Sequence, residues 1–250
     1  MKHPILNMLR HPTRVGAAIR IGLLWRKTYF GAQKKVALGD ALLIETTKDD
    51  LIAIQEGAIY PYLFAGVYIV YVIWFLLDKL EDDRYASATD AYENLIRESV
   101  RIFEENPTRM RDRERIRHPL TRFLHTIDGP TNCYPSLHVS LMVLSYQILK
   151  DEPKATAFQC EAMKQACIDV CRSTMQTKQH SIIDVIGGFA ITRMVFEGAF
   201  AKGRFDNFIE EILPELNDGE LTKVKNLMNE HRHDLTVLLD ELLKEFTQSE

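Results

Sequence analysis

The sequence predicts an all-α protein, on three observations. Strand signals are scarce: alternating runs are few, and no Asn-Gly or Asp-Gly pair joins β-branched segments. Apolar residues recur instead at helical spacing, most plainly in "NDGELTKVKNLMNEHRHDLTVLLDELLKEF" (217–246). Two further stretches, 57–77 and 135–149, are apolar over most of a helix circumference.

The length of 250 residues allows a sizeable core. Three parts are expected: a basic N-terminal helical segment (1–52), a helical core (53–202) and a C-terminal helical extension of the same domain (203–250). A net charge of −4 and a pI near 6.1 argue against nucleic acid as a partner.

Taken in order, residues 1–39 hold eight Lys or Arg and no acid, leaving 23 basic against 35 acidic residues in the remainder. That asymmetry predicts either an anionic membrane surface as partner or a basic helix docked on the acidic remainder. No cleavable signal follows the early charges. "GAIYPYLFAGVYIVYVIWFLL" (57–77) is 21 uncharged residues, long enough to cross a bilayer, although a central core helix has the same look. The protein is thus expected at the cytoplasmic face of a membrane, peripheral or held by that one helix, or else soluble in the cytoplasm. "LEDDRYASATD" reads as a charged helix end running into a loop rather than as a magnesium site, since no second acidic motif accompanies it.

"TNCYPSLHVSLMVLSYQIL" (131–149) starts a buried-looking helix. Pro135 suits a first helical position, and the free N–H groups of that turn form an anion site. His138 sits there as a proton donor or as a capping core histidine. Residues 154–172 form a further helix carrying Cys160, Cys167 and Cys171 on one stripe, which fits core packing better than metal binding. Without a CxxC spacing, these and Cys133 read as free thiols. In "STMQTKQHSIIDVIGG" (173–188), His180 and Asp184 stand four apart and share a helix face. A carboxylate that accepts from one imidazole nitrogen fixes the tautomer and frees the other as nucleophile or base. Gly187 and Gly188 permit another helix to approach closely. The start signals Asn217 and Asp218 then open a helical stretch over 217–246, expected to form a solvated C-terminal helix pair with "DNFIEEILPEL".

The combination P-S-L-H (135–138), about forty residues, then S-T-x3-K-Q-H-x3-D (173–184) resembles the type-2 phosphatidic acid phosphatase superfamily, in particular the branch of inositol-phosphorylceramide synthases. The resemblance covers residues 130–190. It implies a helical bundle of that kind and metal-independent phosphoryl transfer through a phosphohistidine, with no cofactor. By matching position, His180 is implied as nucleophile, Asp184 as its orienting carboxylate and His138 as general acid, while Ser136 and the N–H of Leu137 cradle phosphate. Ser173-Thr174 stands where the family has Ser-Arg, so Lys178 is expected to supply the missing charge. The family's K-x6-R-P motif has a degenerate counterpart in "RDRERIRHP", with Arg111, Arg115 and His118 as expected phosphate contacts.

The implied activity is hydrolysis of a lipid or isoprenoid phosphate or diphosphate, the substrate being a phosphorylated amphiphile. The rivals are transfer of a phospho-head group to an alcohol, a vanadate-dependent haloperoxidase, and a non-catalytic membrane-surface adaptor.

Overall fold

A computed structural model describes residues 11–110 and 116–247. Among them the chain is predominantly helical, with eleven α-helices and one parallel pair of two-residue strands. Helix α1 (Pro12–Lys35) is followed by β1 (Leu42–Leu43), α2 (Thr47–Asp50), α3 (Ile59–Lys79) and α4 (Asp82–Glu105). Next come β2 (Thr108–Arg109), α5 (Pro119–Ile127), α6 (Leu137–Lys150), α7 (Ala157–Gln176) and α8 (Ile182–Ala199). Helices α9 (Ile209–Ile212), α10 (Asp218–Glu230) and α11 (Leu235–Thr247) complete it.

Helices α6 and α8 form the centre. They pack on each other, and α3, α4, α7 and α11 surround them. Both are apolar nearly all round and buried accordingly, as 135–149 predicts. The two start side by side because of sequence: a Cβ at Gly188 would meet the Val139 side chain at 2.9 Å and the Ser136 carbonyl at 3.0 Å. At Gly187 it would meet the Tyr134 ring at 2.3 Å. No side chain fits at either position, and the Ser136 N–H donates to the Asp184 carbonyl (3.0 Å) across the junction.

Three expectations need correction. Helix α6 starts at Leu137 with Ser136 as N-cap, so Pro135, in a cis peptide with Tyr134, lies outside it. Ser136 wins because its oxygen satisfies an otherwise unpaired N–H, that of Val139 (3.3 Å). The "EDD" run opens α4 rather than closing a helix, its carboxylates favoured at a helix start by the macrodipole. The C-terminal helices are not a solvated pair: Leu235, Leu238, Leu239, Leu242 and Phe246 of α11 are buried in the main core, and the Tyr134 hydroxyl donates to the Leu235 carbonyl (2.9 Å). Asn217 does start α10, in a capping box with Glu220. Of the two readings of the basic N-terminal segment, docking holds for three cations of α1: Arg14 pairs with Asp82, Arg20 with Glu93 (2.7 Å) and Lys35 with Glu104 (2.6 Å), all on α4.

Helix α3 is long and apolar enough to cross a membrane, and only 33% of its most apolar window is buried. Leu63, Phe64, Val67 and Val70 leave an exposed apolar stripe along it.

The glycine junction makes a stability prediction. Gly187→Ala is expected to cost about 1–3 kcal/mol from overpacking against Tyr134, lowering the thermal midpoint by roughly 2–4 °C per kcal/mol. Gly31→Ala, inside α1 with no neighbouring atom within 4 Å of its added Cβ, should raise it, since glycine costs a helix about 0.5–1 kcal/mol relative to alanine. Calorimetry on the two variants checks both signs.

Candidate active site

The starts of α6 and α8 carry the site. Ser181 caps α8 and Asp184, at its third position, closes a capping box by accepting from the Ser181 N–H (2.8 Å). The same carboxylate oxygen, Oδ2, accepts from Nδ1 of His180 (3.2 Å). One local motif therefore makes the helix start and orients the imidazole. Asp184 is fully buried, and burial pushes its carboxyl up against the lowering pull of His180 and Ser181.

His138 lies in the first turn of α6, its ring centroid 5.8 Å from that of His180. Its Nε2 meets the Tyr62 hydroxyl at 2.9 Å, and that hydroxyl lies 3.3 Å from Asp128 Oδ2. The other oxygen of Asp128 accepts from the Tyr29 hydroxyl (2.8 Å). Each histidine thus has a carboxylate behind it: Asp184 directly, Asp128 by way of a tyrosine. Burial draws the pKa of His138 down to about 4; Asp128 opposes this and the neighbouring His180 adds to it. The ring is neutral at pH 7.

The remaining expected residues fall as follows. Ser136 is fully buried and spends its oxygen on the helix cap, with the Leu137 N–H beside it at the first helical position. Lys178 differs from expectation: it has a left-handed backbone (φ 54°), and its ammonium donates to the carbonyls of Asp49 (2.7 Å) and Ile52 (3.2 Å). Two of its three N–H groups hold the α2 segment, where the Asp49 carbonyl also accepts from the Ile52 N–H (3.3 Å). His118 caps α5 with its ring edge-on to Tyr60 at 6.0 Å, and its buried Nδ1 has no hydrogen-bond partner among the described residues. Arg111 and Arg115 lie outside the described residues. Ser173 and Thr174 turn their hydroxyls onto carbonyls of their own helix (2.6 and 2.8 Å).

Several site residues carry no signal by spacing. Tyr62 and Asp128 are 76 and ten positions from His138. Asp49 accepts from the Ile182 N–H (2.8 Å), capping α8 from 133 residues away, and burial lifts its carboxyl to about 6. Gln179, inside the K-Q-H run, is buried with both side-chain amide atoms unpartnered among the described residues, as is Oδ1 of Asp184. Such groups call for a partner that the described residues do not supply. Cys133, His180 and Asp184 place ligand atoms within 4.8 Å of one another, a thiol, imidazole and carboxylate set that suits zinc.

His138 makes stability pH-dependent. Its folded pKa lies below the unfolded value, so the unfolded chain takes the proton first as pH falls. The contribution is complete above about 6.5 and lost towards about 4, up to roughly 3 kcal/mol. Asp49, raised, acts with the opposite sign, gaining stability as pH falls from about 6. A His138→Gln variant isolates the first effect. Urea unfolding should show the wild-type advantage shrinking between pH 7 and 4.5.

Comparison of the chain with protein-family models, with curated proteins and with solved structures finds no match.

Proposed function

We propose that the chain is a metal-independent phosphatase with a bundle of the type-2 phosphatidic acid phosphatase kind, hydrolysing the phosphate or diphosphate of a lipid or isoprenoid amphiphile. The observation that supports this best is the pair of histidines on facing helix starts, one of them held by a carboxylate through Nδ1.

The chemistry follows from that pairing. With Nδ1–H donated to Asp184, the Nε2 lone pair of His180 attacks phosphorus and the bond to the leaving oxygen breaks. His138 protonates that oxygen, so an alcohol departs and a phosphohistidine remains. Water, deprotonated by His138, then cleaves the P–N bond and releases phosphate. A ring that is neutral in the free protein must gain its proton with the substrate. The arriving dianion provides the reason, since an adjacent opposite charge favours the protonated ring. Asp128, acting through the Tyr62 hydroxyl, pulls the same way. The first-turn N–H groups of α6 and the unpartnered amide of Gln179 are the donors offered to phosphate oxygens. Transfer to an alcohol needs only a different acceptor in the second step.

The exposed apolar stripe of α3, with Ile19 and Leu23 of α1, supports docking on a bilayer. Arg26, Lys27 and Lys34, exposed and without an acidic partner among the described residues, favour an anionic one at about 1 kcal/mol per basic residue near the surface. Sedimentation with anionic vesicles is expected, weakened by salt. Retention through both salt and alkaline carbonate would mean that α3 is embedded.

The catalytic reading is checked by phosphate release from an alkyl and a p-nitrophenyl phosphate. His180→Ala should abolish both activities. His138→Ala should lose about 100- to 10,000-fold on the alkyl ester and much less on p-nitrophenolate, which leaves unprotonated. Asp184→Asn should fall between. Activity should survive EDTA and yield to orthovanadate, a mimic of the in-line transition state. Activity lost to EDTA and restored by zinc would replace this mechanism with one built on Cys133, His180 and Asp184. Unchanged turnover in His180→Ala would end it.

A further inference from the structure

Helices α1, α3, α4 and α6 enclose a cavity of about 380 Å³ that ends at His138 and Tyr62. Among the described residues, none that lines it is a lysine, arginine or carboxylate. Its hydroxyl-bearing walls are turned away: Tyr85 donates to the Arg14 carbonyl, Thr89 to the Tyr85 carbonyl, and Tyr92 pairs with Ser145. What faces the space is hydrocarbon, except at one end. Along α3 the lining runs from Tyr62 to Leu76, a length of about 21 Å at 1.5 Å per residue. A volume near the low end of the roughly 300–1,000 Å³ found for ligand pockets, drawn out over that length, is a slot one chain wide. Gly22 of α1 and Gly66 of α3 face it with nothing within 4 Å of an added Cβ.

We propose that this cavity binds the single long hydrocarbon chain of a phosphorylated amphiphile, with α1 as its outer wall and the phosphate delivered to the His138 end. The phosphate end rests on the phosphatase reading; the chain site does not. A lipid with two chains does not fit. The exposed stripe of α3 borders the slot, giving a chain an apolar route from a bilayer.

Trp25 lines the cavity and Trp74 is the protein's other tryptophan. Trp74→Phe therefore makes Trp25 the sole reporter. Its fluorescence should be quenched saturably by brominated hexadecyl phosphate below the micellar concentration, and unlabelled hexadecyl phosphate should reverse this. Gly22→Leu with Gly66→Leu should weaken quenching at least tenfold while leaving the circular dichroism unchanged. His180→Ala should bind as before. Brominated hexadecanol should also bind, whereas brominated two-chain phosphatidate should bind at least tenfold more weakly. Absence of saturable quenching, indifference to the two leucines, or equal binding of the two-chain lipid would overturn the proposal. Quenching as described in a protein that releases no phosphate would leave the chain site standing and remove the phosphatase reading alone.

Discussion

The arrangement of the site depends on one close approach, that of the starts of α6 and α8. Two adjacent glycines leave room there for a tyrosine ring and a backbone carbonyl, and the Ser136–Asp184 backbone bond locks the junction. Side chains at Gly187 or Gly188 would push the helices apart. Everything chemical then follows from which residues stand in the two first turns. His138 is on one and the Ser181–Asp184 box, preceded by His180, opens the other.

The two histidines are alike in type and opposite in environment. His180 has its carboxylate at direct hydrogen-bond distance. His138 reaches Asp128 through Tyr62 and sits in a cavity wall of hydrocarbon. Water is a far better solvent for imidazolium than that wall, so desolvation outweighs Asp128 and holds the ring neutral. Under the proposed phosphatase reading the asymmetry gives identical side chains different tasks: the ring oriented by its own carboxylate suits attack, and the ring held neutral by desolvation suits proton delivery once an anion arrives.

Much of this was legible in the sequence where the determinants are local. The all-α class came from periodicity, α10 from Asn217, and the helix junction from Gly187-Gly188. His180 and Asp184 do meet, but His180 precedes the N-cap Ser181 and shares no helix face with Asp184, so the capping box and not i, i+4 helical spacing joins them. What escaped was set by partners far along the chain. Lys178 read as a phosphate cation, because nothing near it announces the Asp49 and Ile52 carbonyls. The basic helix α1 left two readings open, and the paired acids on α4, about seventy residues on, favour docking for three of its cations. Tyr62 and Asp128 have no motif. Pro135 obeyed a sound rule that Ser136, a better cap, overrode.

Asp49 joins the early and late parts of the chain at one point. Its carboxylate ends α8 through the Ile182 N–H, and its carbonyl takes the Lys178 ammonium. The loop closed by these bonds is 129 to 133 residues long, and closing a loop of that size precedes any reward from its contacts. During folding, α6 and α8 can pair early through nearby sequence, but the turn holding His180 is completed only when residues 46–52 return to it. A fragment spanning 131–190 would carry both conspicuous motifs and still leave the start of α8 without its distant cap. Both motifs lie within sixty residues, and their assembly is a property of a chain more than twice as long.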